Sequence, residues 1–227
     1  NIMTGEGGVV VTNDELVAIR ARLIRNHGEA ILSDDYEDEI KKCMVGYNFR
    51  LTEIMAEIGI QQGKALKNLN KIRKSNYHYL LKKISKVCGE YLTPQKISNI
   101  DYYAPYHVGF RWNSQKSKIH RDLLVHVLRK EGIPVSQGMP RLMSENILFK
   151  KKYFLEIIGI KRNYKIDKLN NAHKLFNHEY LGFTQIGWPN DKKDMDDIII
   201  AFEKIMYNIK ILQKEKFTNK DIFVSGR

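Results

Sequence analysis

The hydrophobic pattern at the start of the chain predicts a short strand followed by one amphipathic helix. Residues 9–11 form a continuous valine run behind a glycine-rich turn, which is typical of a strand between neighbouring strands. Thr12 and Asn13 are suited to cap the helix, and Gly28 is suited to end it. The apolar positions recur at helical spacing and predict one buried face, formed by Leu16, Ile19 and Leu23.

A second helical pattern is unusually long. It begins after Thr52, a suitable N-cap, and continues to about Val87 with glycines inside it. A helix of roughly 35 residues exceeds the ordinary globular range, so we expect it to join two lobes. The predicted boundaries are residues 1–60 for the first lobe, 61–92 for the connecting helix and 93–227 for the second lobe.

The second lobe has the pattern of a small α/β domain. Residues 103–112 predict a strand, and residues 119–130 predict a helix that is capped by Ser117 and ended by Gly132. Residues 194–210 predict a last helix, whose apolar stripe indicates core packing rather than a cofactor site.

Composition places the chain among ordinary globular proteins. Its 227 residues, 43% hydrophobic and 28% charged, can bury a sizeable core. No apolar run approaches the roughly 18 residues of a membrane span, and the start lacks a signal-peptide pattern, so we expect no membrane partner. Cys43 and Cys88 have no Cys or His partner at ligand spacing. We therefore expect no metal site and a reducing, cytoplasmic location.

The net charge of +12 is spread along the chain rather than concentrated in one stripe. Residues 1–60 are net acidic, so the basic excess lies in the remainder, where lysine outnumbers arginine. Base readout and bidentate phosphate contacts favour arginine, so we expect no nucleic-acid partner. A basic site for a phosphorylated small molecule fits the charge equally well.

The motifs of several common enzyme classes are missing, but separated segments together form a recognisable pattern. The sequence has no dinucleotide glycine fingerprint, nucleophile elbow or metalloprotease His-Glu pair. The pattern consists of Asn1-Ile2-Met3-Thr4-Gly5-Glu6-Gly7-Gly8, then His27-Gly28, then Gly46-Tyr47-Asn48-Phe49-Arg50-Leu51-Thr52-Glu53. In order and spacing, these segments closely resemble the DegT/DnrJ/EryC1/StrS family of pyridoxal-phosphate sugar aminotransferases. Trp188-Pro189 before the last helix is similar to that family's C-terminal domain.

The resemblance implies an α/β fold, the fold type I of PLP-dependent aminotransferases. Residues 1–60 would be the C-terminal part of the large PLP-binding domain, 61–92 the connecting helix and 93–227 the small C-terminal α/β domain. In that family the Schiff-base lysine directly precedes the turn that the opening residues resemble. We therefore expect this lysine immediately before Asn1, outside the sequence. Its amine would bond the cofactor aldehyde and shuttle the proton.

The resemblance also implies roles for four residues. Asn48 and Arg50 match a loop that reaches across the dimer to the neighbouring active site, where an amide and a guanidinium suit the phosphate of the cofactor or of the substrate. Tyr47 and His107 are candidate substrate residues, His107 together with the turn at residues 136–138. A cap and a surface cation remain alternatives for Asn48 and Arg50, and simple packing remains one for Tyr47.

The function implied is a PLP-dependent aminotransferase that moves an amino group from glutamate to a keto sugar, usually nucleotide-linked, in deoxyamino sugar and polysaccharide biosynthesis. It would act as a homodimer with shared active sites. A sugar dehydratase of the same fold, in which histidine replaces the lysine, remains an alternative because the distinguishing residue lies outside the sequence. A basic binding protein without catalysis is a third possibility.

Overall fold

A computed structural model describes residues 1–28, 45–99, 103–139, 141–150, 157, 159 and 169–215. Two compact units divide the chain, Asn1–Lys67 and Asn68–Arg227. Helix α2 (Glu53–Cys88) contains the residue at which one unit ends and the next begins. Among the described residues, no helix combines the length and the hydrophobicity needed to cross a bilayer.

Helix α1 (Glu15–Arg25) begins one residue later than a cap at Asn13 would place it. Asp14 is its N-cap and accepts a hydrogen bond from the backbone N–H of Val17 at 3.0 Å, whereas Thr12 only accepts one from the N–H of Asp14. Gly28 ends the helix as predicted, because its positive φ of 74° lets its N–H reach the carbonyl of Leu23 at 2.8 Å.

The predicted strand at residues 9–11 is wrong. These valines lie in irregular backbone and are 86%, 72% and 88% exposed. A strand needs a neighbour to satisfy its N–H and C=O groups, and the described part of the chain gives residues 9–11 no strand partner. The buried face of α1 is also narrower than predicted, because Ile19 and Leu23 are buried while Leu16 is exposed.

Helix α2 confirms the prediction of one long helix, with 36 residues and no break at its glycines. Thr52 caps it, since its Oγ1 accepts a hydrogen bond from the N–H of Met55 at 3.3 Å. In the first unit the helix exposes Ile54 and Ile58. In the second unit it buries a continuous face, formed by Tyr77, Leu80, Ile84 and Cys88.

The second unit contains an antiparallel sheet of strands β1 (Leu92–Pro94), β2 (Val108–Trp112) and β3 (Tyr180–Phe183), in that order. Strand β2 is shorter than the predicted 103–112. It pairs with β3 so that Gly109 faces Gly182 and Arg111 faces Tyr180. The π-helical turn Leu175–Glu179 leads directly into β3.

Helices cover the sheet and close its core. The short α3 (Ser114–Ser117) precedes α4 (Arg121–Lys130), whose N-cap is His120 rather than the predicted Ser117. Helix α7 (Lys192–Tyr207) begins at a capping box formed by Asp191 and Asp194, and its apolar stripe is buried as predicted. The remaining described helices are α5 (Ile147–Lys150), α6 (Asn170–Lys174), α8 (Ile209–Leu212) and the 3-10 turns Gly89–Tyr91 and Met143–Glu145.

Candidate functional site

Arg50 is the centre of a polar cluster in the first unit. Its Nε donates to Oδ1 of Asn48 at 3.1 Å, and its Nη1 donates to Oδ1 of Asn26 at 3.1 Å. Its Nη2 lies 3.3 Å from Nε2 of His27. Because a guanidinium can only donate, that imidazole nitrogen accepts and His27 carries its hydrogen on Nδ1. Asn26, His27 and Asn48 fix the plane of the guanidinium, and together with Arg50 they form the Arg50 cluster.

Two backbone segments are joined side by side to build this cluster. The N–H of Tyr47 donates to the carbonyl of Ile24 at 2.8 Å, and the N–H of His27 donates to the carbonyl of Tyr47 at 3.0 Å. Gly46 makes this approach possible, since a Cβ there would lie 2.1 Å from the backbone nitrogen of Gly28. The two separated glycine motifs of the sequence therefore meet backbone to backbone.

The opening glycine-rich turn packs on the start of α2 through the side chain of Thr4. A Cβ on Gly59 would lie 3.3 Å from Cγ2 of Thr4, and a Cβ on Gly7 would lie 2.9 Å from Oγ1 of Thr4. That hydroxyl donates to the carbonyl of Glu6 at 2.8 Å. The turn is thus held by its own threonine and by a glycine inside the long helix.

Three of the four predicted site residues lie in the first unit. Asn48 and Arg50 lie together, whereas Tyr47 stacks on Phe49 with ring centroids 5.0 Å apart and planes 19° apart. Tyr47 and Phe49 alternate along the chain with Asn48 and Arg50, and successive residues of an extended segment point to opposite sides. His107 belongs to the second unit.

An open groove of the first unit is lined by the opening segment, by α1 and by residues 49–52. Arg22, Arg25 and Arg50 contribute positive charge to it, and Glu6 contributes a carboxylate. Within the described residues, none of the three arginines forms an ion pair. This groove can therefore attract an anionic group.

In the second unit, His107 directly precedes β2 and contacts Tyr180 at the start of β3. The phenolic oxygen of Tyr180 lies 3.0 Å from Nδ1 and 3.5 Å from Nε2 of His107. The two rings are nearly parallel, with an interplanar angle of 16°. Burial lowers the pKa of His107 below its ordinary value, so the imidazole is neutral at neutral pH.

Three glycines make room for this pair. A Cβ on Gly182 would lie 2.2 Å from Cε1 of His107 and 2.8 Å from the hydroxyl of Tyr180. Gly109 and Gly138 face the tyrosine ring, where an added Cβ would lie 3.1 Å from its atoms. The predicted turn at residues 136–138 joins the same place, because Ser136 and Gly182 exchange backbone hydrogen bonds at 2.8 and 2.9 Å.

Arg121 anchors the backbone that carries Tyr180. Its guanidinium is buried, donates to Oδ1 of Asp122 at 2.5 Å and also donates to the carbonyl of Tyr180. Further donated bonds reach the carbonyls of Phe176 and Asn177, at 2.8 and 3.2 Å. The turn before β3 is thereby tied to α4.

Several residues of both places were not predicted from the sequence. His27 belongs to the family motif but was given no role, and neither Asn26 nor Tyr180 was a candidate. The available signal was the glycines, since Gly28, Gly46 and Gly182 each mark a close approach of another group. That signal tells where space is needed but not which residue fills it.

A search of protein families matches residues 1–158 to the model of the DegT/DnrJ/EryC1/StrS aminotransferase family. One relative is UDP-4-amino-4,6-dideoxy-N-acetyl-beta-L-altrosamine transaminase of Helicobacter pylori, 44% identical over 63 residues, which cover 28% of this chain and 16% of the relative. Another is GDP-4-keto-6-deoxy-D-mannose 3-dehydratase of Escherichia coli O55:H7, 36% identical over 95 residues, 37% of this chain and 24% of the relative.

Among solved structures, the fold is similar to that of E. coli GDP-4-keto-6-deoxy-D-mannose-3-dehydratase with bound hydrated PLP. The TM-score is 0.62 at 24% identity, and the match covers 85% of this chain and 49% of the other. The chain therefore spans about half the length of this solved relative and less than a quarter of either curated relative.

Proposed function

This chain belongs to the DegT/DnrJ/EryC1/StrS aminotransferase family, and on that premise we propose that it contributes to an enzyme that transfers an amino group from glutamate to a nucleotide-linked keto sugar. The fold is that of the PLP-dependent aminotransferases of fold type I. The name of the Helicobacter pylori relative, a transaminase of a UDP-linked sugar, supports the substrate class.

Pyridoxal phosphate is the cofactor that this family indicates, and the Arg50 cluster fits its phosphate. The observation that carries the proposal is the state of the Arg50 guanidinium. Two amide oxygens and one imidazole nitrogen hold it in place, and no carboxylate among the described residues neutralises it. Its remaining N–H groups and its full charge are thus free for a phosphate dianion, which prefers a planar, bidentate donor.

Bound pyridoxal phosphate supplies an aldehyde that bonds amines and a ring that accepts electrons from the reacting carbon. The residues of this chain then have binding and orienting tasks. Arg50 would hold the phosphate, and Asn48 and Asn26 would keep the guanidinium plane fixed. His27 would help to hold the guanidinium by accepting through Nε2.

Two further residues would contact the substrate. His107 is neutral because of its burial, so it would recognise the sugar by hydrogen bonding rather than by charge. Tyr47 is more than half exposed, and its ring, backed by Phe49, offers a flat apolar surface to the substrate.

We also propose that the enzyme is a cytoplasmic homodimer with shared active sites. The exposed apolar side chains of the first unit, among them Phe49, Ile54 and Ile58, support a protein interface there. The low cysteine content supports a reducing compartment. Sedimentation of the purified protein tests the assembly, and a monomer across the micromolar range would contradict it.

A sugar dehydratase is the second candidate, favoured by the 36% identity to the E. coli dehydratase over 95 residues. One incubation separates the candidates. The whole enzyme to which this chain contributes is purified and mixed with pyridoxal phosphate, glutamate carrying an isotope-labelled amino nitrogen, and a nucleoside-diphosphate 4-keto-6-deoxy sugar. Label in the sugar nucleotide, read by mass spectrometry, supports aminotransfer. Loss of a hydroxyl oxygen without label supports dehydration, and an unchanged sugar supports a binding protein.

The role of Arg50 is tested by cofactor titration of the Arg50→Met and Arg50→Lys variants. A lost charge-assisted hydrogen bond costs about 1.5–3 kcal/mol, so we expect the dissociation constant of pyridoxal phosphate to rise about 10- to 100-fold for methionine. Lysine keeps the charge but loses the fork, so its effect is intermediate. Arg20→Met, at an exposed position of α1 outside the groove, is the matched control. Equal affinity of all three variants would remove Arg50 from the proposed site.

A further inference from the structure

Arg73 lies on helix α2 in the second unit, and its guanidinium has no ion-pair partner among the described residues. Its Nε is buried and finds no hydrogen-bond acceptor in the described part of the chain. We propose that Arg73 binds the phosphates of a nucleotide whose base packs on Trp188. The choice of phosphate over carboxylate rests on the proposed function, in which the sugar is nucleotide-linked.

The guanidinium of Arg73 lies against the main chain of Gly187. A Cβ at position 187 would lie 2.6 Å from Cζ of Arg73, and 2.7 and 2.9 Å from its Nη1 and Nη2. These distances are shorter than any ordinary contact of a Cβ, so a side chain at this position would displace the guanidinium. Glycine therefore lets the cation approach the backbone of a turn directly.

The carbonyls of this turn accept hydrogen bonds from donors other than Arg73. Asn76 is buried and follows Arg73 by three positions on α2, and its Nδ2 donates to the carbonyls of Ile186 and Asn190, at 3.0 and 2.9 Å. The N–H of Asn190 donates to the carbonyl of Gly187 at 2.9 Å. Helix α2 thus holds the turn through Asn76, whereas Arg73 packs on the turn and donates nothing to it.

The charge of Arg73 is therefore partly covered and has no anionic partner within the described residues. Covering a charge is unfavourable unless an opposite charge or a hydrogen-bond acceptor compensates. Only Nε is a buried nitrogen without a partner, so Nη1 and Nη2 stay accessible. Two accessible N–H edges of a guanidinium match the oxygens of a phosphate, which can accept from both.

Trp188 supplies a second feature of the same place. It directly follows Gly187 and is 69% exposed, whereas Trp112 is 1% exposed. A large exposed aromatic ring gains much apolar contact when a flat group covers it, and nucleobases stack on such rings whatever their sequence. A cation and an exposed ring next to one glycine fit a ligand that combines a base with phosphates.

Titration of the full chain with UDP tests the site, because Trp188 is the tryptophan that a ligand there can reach. We expect UDP to quench the tryptophan emission of the wild-type protein. Calorimetry gives the dissociation constants. Pyrophosphate has the charge without the base, and uridine has the base without the charge, so each should bind about 10-fold more weakly than UDP or worse.

Arg73→Met should raise the dissociation constant of UDP about 10- to 100-fold, and Arg73→Lys should have a smaller effect. Lys71→Met is the matched control, because Lys71 is an exposed cation on the same helix, and it should bind UDP like the wild type. Trp188→Ala should bind UDP as weakly as the wild type binds pyrophosphate. Urea unfolding checks the fold of each variant, and Arg73→Met should keep its midpoint because it removes no hydrogen bond within the described residues.

Three results would overturn the inference: no binding of UDP to the wild type, equal constants for the wild type and Arg73→Met, or equal constants for UDP and pyrophosphate. The labelled-nitrogen incubation of the whole enzyme decides the proposed function separately. If label is transferred while Arg73→Met binds UDP normally, the proposed function stands and this site fails. If UDP binds through Arg73 and no label is transferred, the site stands and the proposed aminotransfer fails.

Discussion

The buried pair of Arg121 and Asp122 yields the sharpest prediction for stability. The two residues are 3% and 7% exposed, and the guanidinium donates to the carboxylate and to three backbone carbonyls. Arg121→Met removes all of these donors but leaves the carboxylate buried. Asp122 then keeps the amide of Gln137, at 3.1 Å, as a hydrogen-bond donor.

Breaking a buried ion pair by removing one partner costs about 3–5 kcal/mol. We expect a loss near the lower end of this range, about 3 kcal/mol, because Gln137 still satisfies part of the carboxylate. Total stability of a domain is about 5–15 kcal/mol, so the variant should stay folded with a much lower midpoint.

Urea unfolding followed by tryptophan fluorescence is the appropriate assay. Both tryptophans, Trp112 and Trp188, belong to the second unit, so the signal reports on the unit that contains the pair. Arg20→Met on the first unit is the control and should leave this transition unchanged. The double variant Arg121→Met with Asp122→Leu should regain about 1–2 kcal/mol, because the buried charge is gone. A loss below about 1 kcal/mol in the single variant would refute the reasoning.

Three further predictions concern other parts of the chain. Gly46→Ala should destabilise the first unit by about 1–3 kcal/mol, because its Cβ would overlap the backbone of Gly28. The loss should appear as faster amide exchange at residues 24–28. Gly63→Ala is the control and should not speed this exchange, because its Cβ would meet nothing within 4 Å. Burial raises the pKa of Cys88 to about 12, so its peptide should stay unmodified by iodoacetamide at about pH 8 in native protein and react in urea. Burial lowers the pKa of His107 below 6.5, so just below that pH the unfolded chain binds more protons than the folded chain. The free energy of unfolding should therefore fall as the pH drops below 6.5. In His107→Gln this free energy, measured by urea unfolding, should depend less on pH.

The elements with strong local signals could be predicted from the sequence. The long helix α2, its cap Thr52 and the buried stripe of α7 follow from helical periodicity and capping chemistry, and the structure confirms them. The family could be identified from short motifs, and the match over residues 1–158 confirms it. Cys43, one of the two cysteines, lies outside the described residues.

Other predictions failed where the outcome depends on a neighbour. The valine run at residues 9–11 has strand propensity, but propensity does not supply the partner strand that backbone hydrogen bonds require. Ser117 has the chemistry of a cap, yet its buried hydroxyl accepts a hydrogen bond from the N–H of Ile119. His120 is the N-cap of α4 instead. Propensity is local, whereas pairing and burial are properties of the folded chain.

The sequence by itself determined the family, the long helix and the positions where only glycine is suitable, because these depend on short-range chemistry. Only the tertiary structure decided what those glycines serve. It brought Asn26 and His27 to Arg50 across 24 and 23 positions, and Tyr180 to His107 across 73. Such contacts are set by strand register and by loops that return to a helix end. The periodicity of a single segment does not predict them.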